Sequence, residues 1–361
     1  MKKALTAVAA FCTLAFAQSA FAANTGSIAV SHDPMVLAGS KATTIHVTIP
    51  QATDPIAAIN IYTPSGYTLN LTQAAGTKIG TVDATAFSRD AGLTLPLSGD
   101  VTVDDPAKHV SDSTQCARVP TSTAVWILNL SVAGQTIALP LYVNRTAGAE
   151  QALGEYKLSI CLPPPDVPVG TPGRSAQGAQ VLDARFTVNG IFTTPTGGGL
   201  LKWDALFTPY SPGKGTINAA GTFEARAFVP LPIILGLHRS YVAKTNTWQL
   251  NGKVTEGGLP VGSLVVHIAR GTAIARLTQQ SSAKTDANGN YKTAGHLKPQ
   301  KTTYFRINAT VGERDYAAGC TSPAPAAIAP AGCVSAKLSA WSAKSAVLQM
   351  KVVKQPVKKK K

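Results

Sequence analysis

Alternation with a period of two residues runs through this chain and limits its fold more than any other feature. Ile45, Val47 and Ile49 fall on one side of a segment whose other side carries Thr44, His46 and Thr48. Ile59 and Ile61 repeat the pattern. Trp126, Leu128, Leu130 and Val132 form a longer apolar face, Ala133, Gly134 and Gln135 supply a turn, and Ile137, Leu139 and Leu141 return. Tyr156, Leu158 and Ile160 make one more such face, and Leu182, Phe186 and Val188 another. Successive side chains of a strand point to opposite sides, so this spacing turns one side to a core and the other to water. Long helices need periodic runs of Glu, Lys, Leu and Ala, and none occurs. Charged residues make up only 14% of the chain, against 31 Gly and 24 Pro, as suits short strands between turns. The length suggests two domains. The expected fold is all-β, with two β-sandwich (Ig-like) domains in tandem.

The N-terminus carries an export pattern. Met1, Lys2 and Lys3 give a basic start, residues 4–17 an apolar run, and Ala20, Phe21 and Ala22 a small-residue exit. These are the parts of a secretion signal, with cleavage expected after Ala22. A lipid anchor at Cys12 is disfavoured because Phe11 before it is too large for a lipobox. No later stretch approaches the ~20 apolar residues that span a bilayer; the longest, near residues 228–237, is broken by Pro230 and Pro232. The protein is expected to be secreted or held at the cell surface without a transmembrane segment. Cys116, Cys161, Cys320 and Cys333 remain after the signal. An even count in an exported chain suggests disulfides. Of three possible pairings, locality favours Cys116 with Cys161 and Cys320 with Cys333. The absence of Cys-x-x-Cys or His-x-x-x-His spacing argues against a metal, and no cofactor is expected.

The reading along the chain is a signal at 1–22, an N-terminal sandwich at 23–245, a second sandwich at 248–353 and a tail at 354–361. The first holds a Pro/Gly-rich surface loop at 163–178 and takes its last strands from 203–228. Charge is lopsided: residues 23–200 have 9 basic and 12 acidic side chains, residues 201–350 have 16 and 6, and residues 351–361 add six Lys. A basic half can draw polyanions. Lys358, Lys359, Lys360 and Lys361 are therefore candidate contacts to an anionic cell-surface polymer or glycan, or else a solvated tail. Nucleic acid is not an expected partner, since the chain is exported and has no basic surface interleaved with aromatics.

Residues 250–308 contain LNGKVTEGGLPVGSLVVHI and then TDANGNYKTAGHLKPQKTTYFRIN. This is a strand, a Gly-Gly-Leu-Pro turn, a strand, an Asp-Ala-Asn-Gly turn and further strands. It resembles the carboxypeptidase-regulatory-like family of extracellular β-sandwich modules, whose fold is also called carbohydrate-binding-like. The resemblance implies a spacer or binding unit with no catalytic role. It also makes T-D-x-N-G-x-Y a hairpin feature, with Tyr291 pointing into the core. The same letters, Asp286, Asn288 and Gly289, open like a calcium loop, but Leu297 stands where such a loop needs Glu. A β-turn is the simpler reading.

Asp104, Asp105, His109 and Asp112 form the one dense acid and imidazole cluster, which could do acid–base work or simply be a polar loop before Cys116. His32, His46, His109, His238, His267 and His296 are scattered without metal spacing. No Gly-x-Ser-x-Gly, His-Glu-x-x-His or phosphate-binding glycine loop occurs. Trp126, Trp203, Trp248 and Trp341 could stack on sugars, though Trp126 alternates in phase with Leu128 and so belongs to a core, and partial burial is the commoner fate of a Trp. The expected function is a non-catalytic structural, adhesive or binding role outside the cell. The alternatives are a carbohydrate-binding protein and a hydrolase with a dispersed site.

Overall fold

The computed structural model describes residues 24–33, 36–39, 42–132, 135–196, 201–229, 232–242, 247–293, 301–318, 334–338 and 340–351. The alternating segments form strands, and strands dominate throughout. The first unit contains β1 (Ser27–Asp33), β2 (Ala42–Thr48), β3 (Ile56–Tyr62), β4 (Thr68–Leu69), β5 (Lys78–Ser88), β6 (Leu93–Asp104), helix α1 (Val110–Cys116), β7 (Ala124–Val132) and β8 (Gln135–Arg145). It continues with β9 (Tyr156–Cys161), β10 (Ala179–Val188), β11 (Phe192–Thr193), β12 (Leu201–Pro209) and β13 (Phe223–Val229).

The expected pair of facing sheets is not what these strands build here. Eleven of them join one antiparallel sheet in the order β1-β2-β10-β5-β6-β7-β8-β9-β3-β12-β13. The sheet curls until β1 lies beside β13, although no ladder joins those two among the described residues. With every neighbouring pair antiparallel, an eleven-strand order leaves β1 and β13 running the same way. This near-closure gives a single core in place of a two-layer one. Trp126, Trp203, Phe186, Phe192, Phe207 and Tyr67 fill it, all at most 2% exposed. The ribbon β4/β11 plugs one end of the ring, placing Phe192 and neighbouring Tyr67 edge-on to Trp203, each with its ring centre 5.5 Å away. Residues 162–178 cover the opposite end.

Two outer features depend on register. Helix α1 lies against the outer face of β7 and β8, where Ala117, Val125, Ile127 and Tyr142 form a small separate cluster. Nearby, Lys157, Tyr62, Asp204 and Arg226 stand in one row across β9, β3, β12 and β13. Asp204 is fully buried on this outer side. Lys202 Nζ is 2.7 Å from its Oδ2 and Arg226 Nε 3.6 Å from its Oδ1, ion pairs that lie outside hydrogen-bonding geometry. Burial raises its carboxyl to about 6 against the pull of Lys202. The folded state thus takes the proton more readily than the unfolded chain. Stability linked to this group is complete below the ordinary carboxyl range and is lost as pH rises through about 6. Asp204→Asn should be more stable than the parent at pH 8, on the order of 1–3 kcal/mol, and similar near pH 4. Thermal melts at both pH values check this. A loss at pH 8 would mean that the Lys202 pair outweighs burial.

The second unit comprises β14 (Ile233–Leu235), β15 (His238–Val242), β16 (Thr247–Glu256), β17 (Leu259–Pro260), β18 (Val265–Gly271), β19 (Thr278–Lys284), β20 (Asn290–Lys292), β21 (Thr303–Val311), β22 (Arg314–Ala318), β23 (Val334–Leu338), β24 (Trp341–Lys344) and β25 (Leu348–Met350). One five-stranded sheet is built around β16 and another around β18 and β21; β22 and β23 pair apart. Leu250 and Val254 from one sheet, and Val266, Ile268, Phe305 and Ile307 from the other, share one hydrophobic cluster. β14 and β15 both pair with β16. They draw residues 233–242, which the sequence reading placed before the boundary, into the second unit. The two large clusters divide between Val229 and Leu235. No helix among the described residues is long and apolar enough to cross a membrane.

Candidate functional site

The residues singled out from the sequence fall in different places. Cys116 and Cys161 are joined, with Cα atoms 5.8 Å apart, and fasten α1 to β9. Cys320, Cys333, His296, Leu297 and Lys358, Lys359, Lys360 and Lys361 lie outside the described residues. Asp104 accepts from His109 Nε2 at 3.0 Å, Lys108 Nζ at 3.1 Å and the Asp105 amide at 2.8 Å. The His109 hydrogen bond, foremost of these, holds its carboxyl down at about 2. Asp105 caps the short turn before α1 through the Ala107 amide. His32 is buried between Thr43 Oγ1 and Tyr67 OH, each 2.8 Å away, and burial lowers its imidazole to about 4. Among the described residues no three His, Cys, Asp or Glu side chains gather as a metal site.

Trp203, offered by the sequence as a stacking candidate, is fully buried along with Trp126. Trp248 is half-buried under the Arg239 guanidinium, 5.1 Å from the ring centre. Trp341 is also half-buried.

The segment 286–290 forms a turn that leads into β20. Asp286 Oδ1 accepts from the Asn288 and Asn290 amides at 2.9 and 2.8 Å, and Oδ2 from Asn290 Nδ2 at 3.3 Å. Gly289 adopts φ +74°, which favours glycine. Hydrogen bonding from the Asn290 amide, then from the other donors, keeps the Asp286 carboxyl below its ordinary range. Tyr291, 3% exposed, enters the core and donates its hydroxyl to Gly236 O at 2.7 Å. Burial pushes its phenol up.

That hydroxyl marks the base of a groove. β14 and β15 pair in one register with successive stretches of the same edge of β16, and between them the Gly236 amide still donates to Lys253 O at 2.9 Å. Gly252 allows the close approach of Gly236: a Cβ there would stand 1.9 Å from Gly236 O and 2.6 Å from the Tyr291 hydroxyl. The register places Asn251 opposite Lys292 and Lys253 opposite Asn290. The resulting groove holds about 830 Å³ and is lined by Lys253, Lys284, Lys292, His238, Asn251 and Ile234 among others. The three ammonium groups come from β16, β19 and β20. None forms an ion pair among the described residues; Asp286, the one carboxylate of the lining, accepts hydrogen bonds within its own turn and also feels the charge of Lys253. The groove is therefore a concave, net-cationic surface with amide and hydroxyl groups between the charges. The sequence located the positive half but not this convergence, which needs the pairing of β16 with β20.

No family model matches the chain, and no curated protein matches it. Among solved structures it is similar to a tetra-tandem repeat in the extending region of a large adhesion protein. The identity is 10%, over 89% of this chain and 99% of that one, with a TM-score of 0.21. That score transfers neither fold nor role.

Proposed function

We propose that the chain is a secreted or cell-surface, non-catalytic β-protein whose second unit holds an anionic polymer of the cell exterior, such as an acidic glycan. The observation that carries this reading is the convergence of Lys253, Lys284 and Lys292 on one concave face with no ion-pair partners among the described residues. Export is supported by the N-terminal signal pattern and by a disulfide of the kind that persists in oxidising compartments. The reading of the second unit as a carboxypeptidase-regulatory-like sandwich is supported by two sheets sharing a core and by the Asp286 turn. A hydrolytic role for Asp104 draws little support: a carboxyl held at about 2 has no proton to donate near neutrality, and as a base its oxygens are already taken up by His109, Lys108 and the Asp105 amide. Trp126 and Trp203 are buried, so a neutral sugar would have to stack elsewhere. Charge recognition of an acidic polymer fits better.

Exposed charges act over ~8 Å at physiological salt, so binding through this groove must weaken as salt rises. The test is retention of the full chain on immobilised alginate across a salt series. Lys253→Gln, Lys284→Gln and Lys292→Gln together should shift elution to markedly lower salt; removal of residues 352–361 should give a smaller shift. Retention indifferent to salt, or unchanged in the triple variant, would sink the proposal.

A further inference from the structure

We infer that the first unit carries a second site, an apolar pocket for a small neutral amphiphile at the end of the ring away from the β4/β11 plug. The pocket lies between strand ends and the loop at 162–178. It holds about 130 Å³ and is lined by Ala86, Leu97, Leu130 and Leu139 from the sheet and Pro165 and Ser175 from the loop, among others. None of its lining residues is ionisable. Its roof is fastened: Arg174 donates to Asp90 Oδ2 at 2.9 Å and to Val167 O at 2.8 Å.

The polar groups of the lining define the ligand. Gln180 is spoken for, accepting from Arg89 Nη2 at 2.6 Å and donating to Thr53 O at 3.3 Å. Ser175 uses its amide on Pro164 O at 3.0 Å and its carbonyl on the Gly178 amide at 3.1 Å. Its hydroxyl, on a residue only 6% exposed, has no partner among the described residues. Buried polar atoms are seldom left unpaired. A water needs two to four polar partners to be held in such a place, and the side chains of this lining offer one unpaired atom. A complementary occupant is therefore apolar over most of its surface, uncharged, and equipped with one hydrogen-bonding atom. Apolar cavities of about 150 Å³ take benzene, so one ring or a short chain is the right scale. The basic groove of the second unit plays no part in this site.

Phenol and toluene, equal in heavy atoms, are suitable probes for calorimetric titration against the full chain. Phenol should bind, and Ser175→Ala should weaken it about two- to twelve-fold, the worth of one hydrogen bond, while leaving toluene unchanged. Ala86→Phe should fill the space and abolish binding of both. Ala176→Phe does the same from the loop should the sheet variant not fold. Absence of phenol binding, an equal effect of Ser175→Ala on both probes, or binding that survives in a folded, filled variant would overturn the site.

Discussion

Trp203→Ala should cost about 3–5 kcal/mol of stability, as large-to-small changes of buried aromatics do. Trp203 is fully buried on β12 and meets Tyr67 and Phe192 edge-on, with ring centres 5.5 Å away. Phe192 in turn packs against Trp126 with ring centres 6.1 Å apart. The indole therefore ties the wall of the ring to the ribbon that plugs it. Its loss removes transfer energy, leaves a cavity that a closed sheet cannot collapse around, and breaks two aromatic pairs. For a unit of this size the expected fall in melting temperature is roughly 6–20 °C. Trp203→Phe should keep most of the stability. A Trp203→Ala melt within a degree or two of the parent would mean that the ribbon and the wall do not depend on each other.

Replacing Cys116 and Cys161 together by Ala should cost about 4 kcal/mol on the loop-entropy account of a crosslink, the two being 45 residues apart. This disulfide does more than shorten the unfolded chain. It holds α1 over Val125, Ile127 and Tyr142, all buried on the outside of the sheet. Without it, a seven-residue helix is too short to be stable alone and must stay docked by a small contact. Urea unfolding of the double variant would measure the loss. Retained stability, with α1 amides still protected from hydrogen exchange, would show that the outer cluster alone suffices.

Much of the fold was legible in single segments. Leu128 and Leu130 do point inward on β7, and the chain does return after Val132 as β8. Alternation fixes which side of a strand is apolar; it does not fix the partner. Nothing near Phe186 announces that β10 inserts between β2 and β5, far from its neighbours in sequence, and this choice turns the expected two layers into one ring. Full burial of Trp203 is hidden for the same reason: its sequence neighbours Lys202 and Asp204 are polar, but they belong to the other face of β12. The positive charge of the second half was plain in composition. Its focus at Lys253, Lys284 and Lys292 was not, because those residues meet only through strand register. Ser175 gave no signal at all, since one serine in a proline-rich loop looks like any other until the burial of its hydroxyl is known.

The way β1 and β13 run alongside each other sets how this protein would bear a pull. The chain enters the ring at Ser27 and leaves it at Val229, on adjacent strands that point in the same direction. Entry and exit are therefore at opposite ends of the ring. A load passing from the N-terminal side towards the second unit is directed along these strands, so the seven-residue ladder of β1 with β2 is sheared as a set and not unzipped one bond at a time. Tension would have to break many hydrogen bonds together before the aromatic core was exposed. Resistance to force, like other forms of forced unfolding, would then be governed by the unfolding rate of this one ring.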